Sequence, residues 1–358
     1  MAATGESVAE PQRGTGSSIG GERQIDMGTR AAIPRKASAY AQSWIPNTRR
    51  EHVGEITWSY SRRGLLEQCP RKYYYTYFGA AARKSLAEPE KATLRQLKAL
   101  QNRHERGGAL LHLAISTYFR RAQAGTPMTG EQLVDWVQSL FRRDMTYSAS
   151  DPDGLKPLQG QYPPVLLREY HYRQADVASL VADAERRLVA AVRTFMNASA
   201  FDAFRRAGMQ AGALVEQRLR LPGLPCKIDG RLDLAYQEAG RVTIVDWKMG
   251  ERDGSGTESL QLAVYALWAV EHYQVGTDAV RVCKAYLGTE EVEDFPVTEN
   301  ILAMARARII QDAERMSVLH PYGEQSIVDA FTPCAQQAIC GLCPFQRVCP
   351  EGSVFLHA

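Results

Sequence analysis

Asp233, Asp246 and Lys248 are the residues of this chain whose types and spacing best suit chemistry. Two carboxylates and one ammonium on a common surface can hold a divalent cation and stabilise a developing negative charge. Mg²⁺ takes hard oxygen ligands and is commonly held by one or two carboxylates with substrate phosphate and water. The sequence around them supplies a way to converge. Residues 227–236 and 241–247 alternate apolar and polar side chains, the period of a half-buried strand. Residues 237–240 are polar and end in Gly, which suits a hairpin turn. With Ala239-Gly240 as a two-residue turn, Glu238 faces Arg241, and in the same register Asp233 faces Asp246. Side chains two apart share a strand face, so Lys248 joins Asp246, and opposed residues lie about 5 Å apart at Cβ. Opposed like charges destabilise a sheet; a cation between them reverses the sign. The plainer alternative is a solvated hairpin face with a Lys248–Asp246 salt bridge.

Other chemically able residues need their own elements. The segment GALLHLAISTYF places His112 on a largely apolar helix, inside a helical pattern over 92–121 that Gly107-Gly108 interrupts. A histidine there is commonly a satisfied core residue. Neutral imidazole is nevertheless a competent metal ligand, better matched to Mn²⁺ than to Mg²⁺. Residues 213–221 alternate as a strand and carry Glu216, for which a sheet-surface salt bridge is one reading. Gln261 and Tyr265 lie four apart on one face of a helix over 258–273. Tyr73 and Tyr77 share a helical face in the same way, which suits core packing.

Seven cysteines stand at 69, 226, 283, 334, 340, 343 and 349. An odd number, crowded toward one end, argues for a metal site and against a secreted disulfide framework. Cys340, Cys343 and Cys349 form C-x2-C-x5-C, and Cys69 brings the thiols to four. Four thiolates suffice for [4Fe–4S] or for tetrahedral zinc. Cys334 could replace one of them, but Cys340 makes the C-x2-C bite. Cys226 and Cys283 fall within strand patterns and read as buried small hydrophobes.

The pattern D-x12-D-x-K on adjacent strands resembles the PD-(D/E)xK nuclease superfamily, with DGRLDLAY close to its second motif and IVDWKMG to its third. Gly108-x3-His112 is similar to the first motif and Gln261-x3-Tyr265 to the fourth. Together with S-x-S-x…CPRKYYY near Cys69, they narrow the likeness to the RecB-like branch that includes Cas4 and AddB-type nuclease domains. The likeness covers most of 56–350, carried by short motifs. It implies an α/β restriction-endonuclease-like core, a central mixed sheet flanked by helices. It also implies a metal-dependent DNA nuclease, expected to be an exonuclease on single-stranded ends in repair, recombination or defence. His112, Asp233 and Asp246 would hold Mg²⁺ or Mn²⁺, a glutamate in the position of Glu216 often lies beside that metal, and Gln261 and Tyr265 would position the strand. Cys69, Cys340, Cys343 and Cys349 would hold a [4Fe–4S] cluster, with zinc as the alternative. The competing class is a non-catalytic DNA-binding scaffold on a nuclease fold within a helicase–nuclease complex, although intact Asp233, Asp246 and Lys248 argue against decay. Two carboxylates near Lys248 push its pKa up, which favours orientation and charge stabilisation over a base role.

The totals fit this picture without deciding it. A chain of 358 residues, 45% hydrophobic and 23% charged, has the composition of a globular protein. No apolar run approaches the ~20 residues of a membrane span. MAATGESVAEPQRG lacks an apolar core, so a cytoplasmic location is expected. Net charge is +3, and residues 1–50 alone carry seven basic and four acidic residues, so the rest is balanced. Any DNA-binding surface must then be a local patch. We expect 1–50 to be a disordered tail and 51–358 one nuclease domain. That domain would hold a helical insertion at about 122–205 and a cluster segment at 334–350 plus Cys69. Expected partners are DNA and a helicase or CRISPR-type defence protein.

Overall fold

The computed structural model of the chain describes residues 56–81, 88–154, 162–252 and 259–356. The expected tail at 1–50 and most of the loop after Lys248 lie outside the described residues.

The first part of the chain is helical and its ends are set by capping side chains. A short strand β1 (Thr57–Trp58) leads to α1 (Tyr60–Gln68), where Ser59 Oγ accepts from the Arg62 N–H. Helix α2 (Pro70–Tyr77) follows at once, with Pro70 in its first turn and Cys69 as cap. Then come α3 (Glu88–Ala99) and α4 (Arg103–Gln123). The expected break at Gly107-Gly108 is not there. The pattern divides instead before Arg103, because Asn102 and Glu105 form a reciprocal capping box that starts a new helix. Gly107 serves packing: a Cβ there would stand 3.2 Å from the Met249 methyl. Helices α5 (Gly130–Ser150), α6 (Arg168–His171), α7 (Val177–Asn197) and α8 (Asp202–Gly208) complete this part. The loop expected from 148 begins later, since α5 runs on to Ser150.

The sheet follows as β2 (Leu214–Arg218), β3 (Lys227–Ile228), β4 (Arg231–Glu238) and β5 (Arg241–Lys248). After the crossover helix α9 (Ser259–Tyr273) come β6 (Val280–Tyr286) and β7 (Glu291–Phe295). The chain ends with α10 (Glu299–Glu324), α11 (Gln337–Cys340) and α12 (Pro350–Ser353). Strand order is β2-β4-β5-β6-β7, with β5 and β6 parallel and the other neighbours antiparallel. The hairpin register is the expected one: Glu238 pairs with Arg241, and Ala239 (φ 48°) and Gly240 (φ 79°) make the turn. The strand expected over 227–236 is divided, however. Lys227 and Ile228 pair in parallel with β1 in a separate two-stranded ribbon, and β4 starts only at Arg231.

Both faces of the main sheet are covered. Val242, Ile244, Val280 and Val282 pack with α9 and α10, and α9 is buried over most of its circumference. On the other face Val245, Trp247, Cys283 and Ala285 pack with α4, α5, α7 and α8. Trp247 is fully buried, with Phe195, Phe201 and Phe204 edge-on at 5.2 to 5.9 Å. This mixed sheet between helical layers is the architecture expected of a restriction-endonuclease-like core. Among the described residues no helix is long and apolar enough to cross a membrane.

Candidate active site

Hydrogen-bonded neighbours in a sheet stand side by side, so the register decides which side chains meet. Val215 pairs with Leu234 and Gln217 with Leu232, which sets Glu216 opposite Asp233. Leu234 pairs with Val245, which sets Asp233 opposite Asp246. Asp246 pairs with Lys284, and Lys284 with Glu293. One row thus crosses all five strands as Glu216, Asp233, Asp246, Lys284 and Glu293. Three carboxylates at consecutive strands would repel strongly in an otherwise apolar sheet.

The carboxylates are held by different partners. Asp233 Oδ2 accepts from the Trp247 N–H at 2.8 Å, and Oδ1 lies 3.1 Å from His112 Nδ1. Helix α4, which carries His112, is tied to α5 by Arg106 Nε on the buried Asp144 at 2.6 Å. Glu216 Oε2 takes Arg231 Nη1 at 3.1 Å, and Asp246 Oδ2 takes Lys248 Nζ at 2.8 Å. Glu216 adopts φ 54°, the left-handed region, in the middle of β2. That conformation costs a non-glycine residue roughly 1–2 kcal/mol, and such strain tends to collect at functional sites.

His112, Glu216 and Asp233 each bring a ligand atom to within 4.8 Å of the others. Two carboxylates and an imidazole are a donor set that fits Mn²⁺ or Mg²⁺. Burial alone would lower the His112 pKa, but Asp233, with Asp246 and Glu216 behind it, raises it to about 9. Burial, and then the Asp233 charge, raise the Glu216 carboxyl. The carboxylates thus favour the protonated form of His112. Of the expected ligands, His112 and Asp233 meet directly, while Asp246 stands beside them with Lys248. Glu216, for which the family likeness implies a place beside the metal, joins the set and also keeps its salt bridge to Arg231. Its place depends on the β2–β4 register, which no local pattern encodes.

Gln261 and Tyr265 sit together but off the acidic row. Gln261 Nε2 donates to Tyr265 Oη at 2.7 Å, and Tyr265 Oη donates to the Arg231 carbonyl at 3.0 Å. Both line a cleft of about 230 Å³ with Trp58, Tyr60, Asp229 and Arg231. Arg231 thus touches the cleft through its backbone and Glu216 through its side chain.

A family model of the PD-(D/E)XK nuclease superfamily matches residues 57–350, most of the chain and all of this site. The chain belongs to the PD-(D/E)XK nuclease superfamily. Its members are hydrolases acting on nucleic acids, and they usually use Mg²⁺ or Mn²⁺. Among solved structures, SSO0001 is 17% identical, covers 51% of this chain and 77% of its own, and has a TM-score of 0.27. A candidate exonuclease from Eubacterium rectale is 16% identical, with coverages of 58% and 71% and a TM-score of 0.29. Comparison with the curated proteins returns no match.

The nuclease has a second cluster of metal-binding residue types. Cys69, Cys334, Cys340, Cys343 and Cys349 line one small cavity with Lys72 and Tyr75. All are free thiols, and Cys334 Sγ lies 3.7 Å from Cys340 Sγ. Backbone N–H groups of Lys72 and Phe345 donate to Cys69 and Cys343, each at 3.4 Å. Burial raises the Cys69 and Cys343 thiols and pushes Cys349 up to about 11. Cys226 and Cys283 are buried in the two cores, as expected.

Proposed function

We propose that this nuclease is a Mg²⁺- or Mn²⁺-dependent deoxyribonuclease that degrades single-stranded DNA from its ends. The observation that carries the reading is the convergence of His112, Glu216 and Asp233 beside the Asp246–Lys248 pair. A cation held by His112, Glu216 and Asp233, with Asp246 adjoining, would supply Lewis acidity to the phosphodiester and to the attacking water. Lys248 orients that water and offsets charge on the phosphoryl oxygens. The nearby carboxylates favour its ammonium form, which suits this role better than that of a base. Gln261 and Tyr265 position the strand along the cleft.

Within the superfamily the reading is the RecB-like, Cas4-like branch, with Cys69, Cys340, Cys343 and Cys349 holding a [4Fe–4S] cluster. Its support is the shared cavity and the lopsided spacing of the cysteines, one distant and three close, where zinc sites more usually pair two short knuckles. Backbone N–H donors on two of the sulfurs are contacts of the kind that tune such clusters. A helicase or a defence complex is the protein partner of this reading.

Anaerobically purified protein with Mn²⁺ on end-labelled linear and circular single-stranded DNA tests the reading. Degradation of the linear form alone supports it, and the label reports polarity. Cutting of the circle would make it an endonuclease, and cleavage of neither form would contradict the enzymatic reading.

A further inference from the structure

Two cations are held against one phenol near the cleft. Arg62, in the first turn of α1, sets its guanidinium carbon 4.0 Å from the Tyr77 ring centroid and 5.7 Å from that of Tyr73. Lys98, in the last turn of α3, brings its ammonium 5.7 Å from the Tyr77 ring. Cation–π contact offsets part of the repulsion, yet partial desolvation of the ammonium and then the Arg62 charge lower the Lys98 pKa. Among the described residues neither cation is paired with a carboxylate, and Arg62 Nε is buried without a hydrogen-bond partner. Arg63, the next residue, is by contrast bound to Glu67 and Asp312. Two like charges without an ion pair of their own fit an anion from outside, with Asp229 acting on the same phenol.

The position of the pair says which anion. The turn of α1 that carries Arg62 also supplies Ser59, Tyr60 and Ser61 to the cleft. Asp229, which lines the cleft, is close enough to act on the Tyr77 phenol. At its other margin the cleft is lined by Arg231, which reaches Glu216 of the acidic row. The order in space is therefore cation pair, cleft, acidic row. A polymer with a phosphate at each repeat can occupy both ends of that path, and a free phosphate cannot.

We propose that Arg62 and Lys98, bracketing Tyr77, form a phosphate subsite that grips single-stranded DNA one cleft away from the acidic row. The inference rests on the acidic row being the nuclease centre. Each phosphate contact on a single strand adds about 0.7 to the magnitude of the slope of log K against log salt.

The test is fluorescence anisotropy of a labelled oligo(dT) with Ca²⁺ in place of Mg²⁺, over a salt series. Arg62→Gln and Lys98→Gln each weaken binding by about three- to tenfold and lower the slope by roughly one contact. Lys98→Arg restores the slope. Lys98 is exposed, so its substitution leaves the fold intact even if the loss of Arg62 loosens the packing on Tyr77. A double Gln variant with wild-type affinity and slope overturns the subsite while leaving the nuclease reading standing, provided the wild type cleaves with Mn²⁺. A wild type that neither binds nor cleaves DNA overturns both.

Discussion

Glu216, Asp233 and Asp246 occupy one register position on three neighbouring strands, and the protein manages their repulsion with borrowed positive charge. His112 answers Asp233, Arg231 answers Glu216 and Lys248 answers Asp246. The His112 pKa, raised to about 9, gives this a pH signature in metal-free protein. A group raised above its unfolded value of about 6.5 contributes stability that is fully present below that value. The contribution is lost as pH rises through 9. In EDTA, the urea midpoint of the wild type should fall between pH 6.5 and 9.5, and His112→Gln should flatten that fall. Identical slopes for the two proteins would remove the imidazolium from the account. At this scale much was legible: the turn at Ala239-Gly240 fixes which carboxylates of the hairpin meet. For Glu216 the family likeness points to a place by the metal and its own strand to a salt bridge. It stands with His112 and Asp233 and also binds Arg231, through a register that no pattern near residue 216 encodes.

Strand β5 is the element that joins core and site. Its alternate residues divide between the two faces, so Trp247 anchors it among Phe195, Phe201 and Phe204 while Asp246 and Lys248 face the acidic row. The Trp247 backbone N–H also holds Asp233 at 2.8 Å. Trp247→Ala should destabilise the protein by about 3–5 kcal/mol, read by denaturant unfolding. It should also lower activity at temperatures where the variant remains folded. A variant with wild-type stability would show that the aromatic cage does not anchor β5. Period-two alternation made β4, β5 and the turn readable. It overran at 227–230, where Lys227 and Ile228 leave the main sheet to pair with β1, a partner some 170 residues away in sequence. Alternation reports a strand, not its neighbour. The two glycines of α4 misled for a related reason: Gly107 answers the approach of Met249, a contact invisible from the helix alone.

On the scale of the whole molecule, the segment from Phe331 onward docks on helices from earlier in the chain. Arg71 Nε donates to the Phe331 carbonyl at 2.8 Å, Tyr172 Oη donates to the Pro344 carbonyl at 2.7 Å, and Arg168 binds Gln346 at 3.1 Å. Cys69 meets the cysteines of 334–349 in the same region. Cys343→Ala should bleach an anaerobically purified brown protein and lower its Tm. The Arg71, Tyr172 and Arg168 contacts should keep it from unfolding outright. A colourless wild type with stoichiometric zinc would contradict the cluster. The cysteine spacing made this gathering legible, whereas the hydrogen bonds that dock the segment were not, since two end on backbone carbonyls and the third joins side chains 178 positions apart. The account as a whole turns on whether the acidic row is a metal-dependent catalytic centre. The most direct measurement is Mn²⁺ binding by calorimetry beside cleavage of linear single-stranded DNA, for wild type and Asp233→Ala. The account predicts that the variant stays folded by circular dichroism, loses Mn²⁺ affinity, and loses cleavage by about a hundredfold or more. A folded Asp233→Ala protein that cleaves at the wild-type rate would contradict it.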